Sequence, residues 1–330
     1  MKSQIQRIAI VGLGSIGRRH LRLVKEIRPD IQIILVRSGH GGIWQEQELA
    51  DSVVYSLSDA LALKVDAAII ASPVVFHVSQ AKTFIEHVIP VLVEKPLSHK
   101  LDLADKLYKE WLERKPLVLL GYTLRHNPAA SFFGKKIQDG EIGIVLSITI
   151  KCESYLPEWR PDQDYRKSVS SRKELGGGVL LELSHELDYA NWFFGPFKSV
   201  SSIVRNSKSL NIDIDVEDMA DIILETSDNK SVHIHLDFCS RIPSRFCSVK
   251  TDKGQLNWNL LENNITWTGF DGSTELWEFN NDRDDMYRKQ LSHFFNCIET
   301  DSEPMVTIED GIAVSQLIES IHAANIRKHN

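Results

Sequence analysis

Two short stretches of this chain combine residue types that could do chemistry together. Gly176 to Ala190, GGGVLLELSHELDYA, runs from three glycines directly into a helical pattern. Glu182, His185 and Asp188 recur there at three-residue steps, which covers about 120° of one helix face, with Leu183, Leu187 and Ala190 opposite. A histidine titrates near neutral pH, and a neighbouring carboxylate can orient it or hold a hydroxyl. The face is therefore either solvated or the wall of an active site. The second stretch is Glu94-Lys95-Pro96, at the end of the apolar run PVLV. Its amine can polarise or protonate an oxygen, and Pro96 restricts Lys95 to extended backbone and so holds its direction. Together His185 and Lys95 would serve proton transfer and stabilisation of a developing oxyanion.

These groups need a co-reactant, and the N-terminal stretch RIAIVGLGSIGRRHLRLVKEI suggests one. Gly12, Gly14 and Gly17 form GxGxxG between an apolar strand and an amphipathic helix, the context the dinucleotide fingerprint requires. Gly12 permits the tight turn, Gly14 lets the backbone approach a pyrophosphate, and Gly17 lets the helix pack on the strand. The helix N-terminus then offers amide hydrogens to phosphate. The next strand, IQIILVRS, ends in Arg37 and Ser38, where NAD-preferring folds carry an acid. Arginine can pair with a 2′-phosphate, so NADP is the favoured cofactor; the alternative is that Arg37 stacks on adenine and NAD binds.

The elements that must position these groups follow from periodicity. DAAIIASPVVFHVSQAKTFIEH and PVLVEKPLSHKLDLADKLYKEWLER each read as a strand followed by a helix, and PLVLLGYTLRHNP supplies a further strand. Alternating strands and helices imply an α/β fold with a doubly wound parallel sheet, whose ligands bind beyond the carboxyl ends of the strands. Ser72, Lys95 and Tyr122 lie at such ends. After GEIGIVLSITIKCES, which ends at Ser154, the pattern changes to alternating strands with short turns, including SDNK, DKG and DGS, the mark of a mainly antiparallel sheet with one covered face. The expected division is a dinucleotide-binding domain over 1–123 and an α+β domain over 124–330. A closing helix at about 308–326 packs near their junction.

Bulk properties narrow the class. The 330 residues are 42% apolar and 25% charged, an ordinary globular composition, and the net charge of −7 argues against nucleic-acid binding. No apolar run is long enough to span a membrane, and the N-terminus enters a strand without an apolar leader segment. Cys152, Cys239, Cys247 and Cys297 show no CxxC spacing and read as reduced core thiols of a cytoplasmic protein.

The pieces VGLGSIG, ASPVVFH, VEKP, GYTLRHNP, GGGVLLELSHELD and EDGIAVSQLIESIHAA run through the chain in an order that resembles the Gfo/Idh/MocA oxidoreductases. The resemblance implies a Rossmann domain, a C-terminal domain with an open antiparallel sheet, and nicotinamide-dependent chemistry on sugars or polyols. It places Lys95 and His185 beside the reacting carbon; Asp188, the third catalytic candidate, or Glu182 would orient the histidine or bind a sugar hydroxyl. It assigns Gly12, Leu13, Gly14, Ser15, Ile16, Gly17, Arg37, Ser38, Ser72, Pro73, His77, Glu94 and Lys95 to the cofactor. Tyr122, Arg125, Glu182 and His185 go to the substrate. Many members read Asp-x-x-x-His on the histidine helix, whereas this chain has Glu182 three residues before His185. The loop YLPEWRPDQDYRKSVSSRKEL also looks like a subgroup linked to bacterial surface-sugar biosynthesis.

That loop interleaves Tyr155, Trp159, Arg160 and Arg166 with acids, so it either clamps a sugar ring and an anion or is a solvated mixed-charge segment. His233, His235 and Asp237 alternate along one strand; the solvated or subunit-interface face of a sheet is the expected reading there, and a metal site the alternative. Trp258, Trp267 and Trp277 suggest apolar sheet surface, in the core or in a subunit contact. The expectation is an NADP- or NAD-dependent dehydrogenase of an anionic sugar, forming a homodimer or homotetramer through the C-terminal sheet. It needs no metal, membrane or nucleic-acid partner. A non-catalytic dinucleotide sensor, or a reductase of another carbonyl or imine, is the competing class.

Overall fold

The computed structural model describes residues 4–39, 42, 44–208 and 212–325. The chain divides into two compact units, 1–123 with 282–315, and 124–281 with 316–330.

The first unit holds a six-stranded sheet in the order β3-β2-β1-β4-β5-β6. Its strands are β1 (Arg7–Val11), β2 (Gln32–Val36), β3 (Ser52–Val54), β4 (Ala67–Ile70), β5 (Val91–Val93) and β6 (Val118–Leu120). Every neighbouring pair is parallel. Helices α1 (Ser15–Ile27), α2 (Leu57–Ala62), α3 (His77–Glu86) and α4 (Leu101–Arg114) connect them. Parallel strands covered on both faces read as unbroken apolar runs, and Ile8, Ile10, Ile33, Leu35, Ile69 and Leu92 are accordingly fully buried.

The second unit starts with α5 (Pro128–Gln138) and carries an eight-stranded sheet ordered β14-β13-β12-β11-β7-β10-β9-β8. The strands are β7 (Val145–Glu153), β8 (Phe197–Arg205), β9 (Met219–Thr226), β10 (Ser231–Asp237), β11 (Ser244–Thr251), β12 (Gly254–Asn259), β13 (Asn264–Gly269) and β14 (Thr274–Glu278). Only β7 and β10 run parallel; the other neighbours are antiparallel. One face is apolar, with Ile148, Ile150, Ile222, Leu224, Ile234 and Val249 buried. Trp258 is fully buried there, its ring 5.5 Å from Tyr189 and 5.7 Å from Phe133. Among the described residues, no helix is long and apolar enough to cross a membrane. The four cysteines are buried and free of disulfides.

Two features depart from the sequence reading. The boundary at 123 is not the only one: residues 282–315 group with the first unit, although the expected second domain ran from 124 to the end. The reason is the apolar face of α8 (Arg283–Thr300), whose Tyr287, Leu291, Phe294, Phe295 and Ile298 belong to the first unit's core. The closing helix α9 (Ile308–Ala323) begins among first-unit residues and ends among second-unit residues; residue 326 of its expected span lies outside the described residues. Second, the helix after the glycines is two helices, α6 (Val179–Glu182) and α7 (Ser184–Phe194), broken where Leu183 takes φ −95° and ψ 28°. Glu182 and His185 therefore sit on different helices, and their regular 300° step is lost.

Candidate active site

In the first unit, β1 delivers the chain into the glycine turn. Gly12 has φ 98°, and a Cβ there would lie 2.9 Å from the Ala71 carbonyl oxygen at the end of β4. A Cβ on Gly17 would collide with the Gly12 carbonyl, so only glycine lets α1 start this close to the turn. Gly14, the N-cap of α1, differs: a Cβ there would meet nothing within 4 Å. The first and third glycines are required by packing against the protein itself. The middle one faces open space at a helix N-terminus, which fits a dinucleotide's pyrophosphate. Leu13 is buried, whereas Ser15 is exposed and Ile16 partly exposed in the same turn.

Beyond β2 the Arg37 guanidinium donates to Gln47 Oε1 and, at 2.6 Å, to the Gly42 carbonyl. Ser38 beside it is exposed. Arg18, one residue past the last glycine, lies 3.9 Å over the Trp44 ring and 3.2 Å from Glu46. The segment after β2 is thus tied to its neighbours by two arginines.

The strand ends are held by buried polar contacts. Ser72 donates to Gln80 Oε1 at 2.6 Å, and Pro73 caps a short turn leading into α3. His77, assigned to the cofactor by sequence, is buried at 1% exposure. Its Nδ1 lies 2.9 Å from the Pro96 carbonyl oxygen and its Nε2 2.8 Å from that of Ser72. Burial pushes its pKa below the usual histidine range. With both ring nitrogens against carbonyl oxygens, its position makes it a strut between the ends of β4 and β5. Glu94 is 5% exposed and 2.6 Å from His20 Nε2. Its other oxygen accepts from the Lys95 amide at 3.3 Å. Lys95 itself is partly exposed, and Tyr122, past the end of β6, is fully buried.

In the second unit, Arg125 and Asp188 are partners of one buried ion pair. Arg125 Nε and Nη2 donate to the two Asp188 oxygens at 3.1 and 2.7 Å, with 5% and 0% of the side chains exposed. The guanidinium also lies 5.2 Å over the Trp192 ring. A bidentate fork engages both carboxylate oxygens and fixes α7 on the residues before α5. His185 and Glu182 remain partly exposed, while Glu186 is buried and accepts from Arg245 Nε at 2.7 Å.

The loop before α6 is unevenly anchored. The Trp159 indole donates to Ser154 Oγ at 2.8 Å and meets Phe238 edge-on. Arg241 stacks 3.5 Å over the Tyr155 ring. Arg166 is exposed and forks onto its near neighbour Asp164 at 2.8 and 3.0 Å, and Arg160 is exposed. The glycine end is clamped by the segment just before β9. Asp213 N donates to Tyr165 Oη, Lys173 N to Asp215 Oδ1, and Val179 N to the Glu217 carbonyl. Gly178 has φ 117°, and any Cβ there would run into the Glu217 carboxyl. Burial raises the Glu217 pKa to about 7. Sequence reading missed Glu217, because only tertiary contact brings it to the glycines. It missed His20 as well, although an imidazole three residues past Gly17, on the face turned to the sheet, needs a polar partner.

On the outer face of β10, ligand atoms of Glu153, His235 and Asp237 lie within 4.8 Å of one another. Asp237 is already occupied by the Cys239 and Ser240 amides and the Ser240 hydroxyl. His235 lies between Asp221, at 2.6 Å, and Asp237, at 3.0 Å, and both carboxylates raise its pKa. Hydrogen bonds between the imidazole and these two carboxylates account for the group. His233 is exposed on the same face. Trp277 packs near Phe132 and Lys136 at the edge of the sheet instead of in the core.

Comparison with known proteins bears on these arrangements. Residues 6–122 match the model of the oxidoreductase family's NAD-binding Rossmann fold, and residues 135–328 match that of its C-terminal alpha/beta domain. The chain belongs to the Gfo/Idh/MocA oxidoreductase family. Its family relatives include an uncharacterized oxidoreductase of Synechocystis, 28% identical over 61% of this chain and 54% of that protein. The 2,7-anhydro-N-acetylneuraminate hydratase of Mediterraneibacter gnavus is 24% identical over 77% of this chain and 67% of that one. Against the first of these the match covers about half of the relative's length. Among solved structures, levoglucosan dehydrogenase with NADH and levoglucosan superposes with a TM-score of 0.85 at 15% identity, covering 98% of both chains. The WlbA dehydrogenase of Bordetella pertussis, with NADH and UDP-GlcNAcA, gives 0.79 at 20% identity over 97% and 96%. At these identities the two solved structures show the fold alone.

Proposed function

We propose that the protein is a nicotinamide-dependent oxidoreductase that moves a hydride between the cofactor and a CH–OH carbon of an anionic sugar. The reading rests above all on one observation: the glycine turn opens only at Gly14, and the same unit fixes the backbone of Lys95 through Glu94 and Pro96. Gly12, Gly14 and Gly17 with the N-terminus of α1 would hold the pyrophosphate, and Arg37 and Ser38 the adenosine ribose or its 2′-phosphate. When bound, the dinucleotide supplies the hydride acceptor. Lys95 carries the cation that stabilises negative charge developing on the sugar oxygen, and His185 takes the hydroxyl proton. The two roles are exchangeable, since either group can hold the proton. The Arg125–Asp188 pair sets the orientation of α7 and hence of His185.

The anionic character of the substrate is supported by the loop. Arg160 is exposed, and Arg166 can trade Asp164 for a ligand oxygen in a fork that suits carboxylate or phosphate. The partly exposed Tyr155 and Trp159 add aromatic surface for a sugar ring. Homodimer or homotetramer formation through the open sheet face completes the reading.

The test is a panel of free, acidic, phosphorylated and nucleotide sugars assayed with NAD and with NADP by nicotinamide absorbance. The reading requires turnover with an anionic sugar and a loss of kcat/KM in Arg160→Ala or Arg166→Ala. A neutral sugar as the best substrate overturns the anionic assignment, and no nicotinamide reduction by any alcohol overturns the enzyme.

A further inference from the structure

The contact between His20 and Glu94 is the most enclosed polar pair in the first unit's candidate site. The exposures are 0% for the imidazole and 7% for the carboxylate side chain, and the separation is 2.6 Å. A carboxylate only accepts, so the imidazole Nε2–H donates to Oε1. Oε2 accepts from the Lys95 amide at 3.3 Å. The site exists because residue 121 is glycine: a Cβ there would lie 2.7 Å from Glu94 Oε2 and 2.9 Å from its Cα. Tyr287 closes the far side, its ring 5.9 Å from that of His20 at 77°. His20 is on α1, three residues past Gly17. A single chain of contacts therefore runs from the phosphate-binding helix through His20 and Glu94 to the backbone of Lys95. His77 holds the next carbonyl, that of Pro96, from α3.

We propose that His20 is a positioning residue: through Glu94 it fixes the backbone from which Lys95 projects, and so sets turnover without touching either ligand. The inference rests on the reading of Lys95 as the group that acts on the sugar oxygen. Placement errors near 1 Å at a reacting group cost on the order of 10²-fold in rate, and a purely structural histidine would not act selectively on kcat. Loss of the donor also leaves a buried carboxylate without its partner, which disturbs the same segment.

The experiment compares His20→Leu, His20→Gln and Lys95→Met, and the double variant of His20→Leu with Lys95→Met. Each is measured for kcat, for KM of the sugar found in the panel, for dinucleotide Kd by nicotinamide fluorescence, and for Tm. His20→Leu should lower kcat by at least about tenfold while KM and Kd stay within about twofold. His20→Gln, whose amide can reach the position of Nε2, should recover most of the loss. In the Lys95→Met background the leucine substitution should add no further loss, because the effect passes through Lys95. If His20→Leu does not fold, His20→Gln and Glu94→Asp decide. The proposal then requires near wild-type kcat in the first and a selective fall in kcat in the second. It is overturned if His20→Leu lowers Tm but not kcat, if the glutamine variant falls as far as the leucine variant, if the loss appears in Kd, or if the double variant is additive. Lys95→Met with normal turnover overturns both this inference and the function it rests on. Lys95→Met without turnover beside an unimpaired His20→Leu overturns the inference alone.

Discussion

The glycine turn and the loop before α6 are both candidate ligand-binding segments, and they are built in opposite ways. Around the turn, Glu94, His20 and His77 are buried, each in contact with a polar atom of another element. Along the loop, Arg160, Arg166 and Lys167 are exposed, and the Arg166–Asp164 pair is internal to the loop. A buried hydrogen-bonded group costs free energy to displace, whereas an exposed ion pair contributes little and can be exchanged for a ligand. Under the proposed function, the first segment would recognise a constant ligand with preformed backbone geometry. The second can change its partners, and the proposed function would place substrate choice there.

The Arg125–Asp188 pair offers the largest test of that contrast, since it brings the buried style of construction into the second unit. Asp188→Ala removes the carboxylate partner of a buried guanidinium and should cost about 3–5 kcal/mol, read as a fall in unfolding free energy by denaturant titration. Asp164→Ala, which breaks the exposed pair, should leave the unfolding midpoint unchanged. Equal effects would erase the distinction between the two regions.

Cofactor choice gives the next largest effect. If Arg37 pairs with a 2′-phosphate, wild type has higher kcat/KM with NADP than with NAD, and Arg37→Asp lowers the NADP value by about tenfold or more. Arg37 is already engaged with Gln47 and the Gly42 carbonyl, which preorganises its fork. An NAD preference in the wild type would make Arg37 a structural tie of that segment.

Glu217 gives the smallest effect. Its pKa is raised to about 7 by burial, against 4.5 for a free glutamate; Asp218 adds to the rise, while Lys173 and the backbone donors oppose it. Between those two pH values the folded state binds more protons than the unfolded one, so stability from this group falls as pH rises and the penalty is complete above about 7. Glu217→Gln keeps an acceptor and removes the charge. Its Tm should match wild type near pH 4.5 and exceed it at pH 8.5. A constant Tm difference across that range would assign Glu217 a packing role alone.

The fold was legible in the sequence where local pattern decides it. Unbroken apolar runs separated by helical stretches specify the parallel sheet, and alternation with short polar turns specifies the second sheet. The glycine turn was legible because three backbone constraints fall at fixed spacing. What escaped was set by tertiary contact. The apolar face of α8 could cover either unit, and only the structure shows Phe294 and Leu291 in the first unit's core. Asp188 looked like the end of a polar stripe because Arg125, 63 positions away in sequence, could not be paired with it from the sequence. The break at Leu183 carried no glycine or proline to announce it. The arginines of the loop were visible as residue types, but their pairing with Asp164 was not.

The central claim is that Lys95 acts in the chemical step and that the cofactor is held elsewhere in the same unit. Lys95→Met isolates it, because the glycine turn and the Arg37 segment stay intact. Dinucleotide Kd by fluorescence titration and kcat by nicotinamide absorbance, measured on one preparation with the best sugar of the panel, test it most directly. The account predicts a Kd within about twofold of wild type and a kcat lower by on the order of 10²-fold. Turnover near the wild-type rate, or a loss confined to dinucleotide binding, would contradict it.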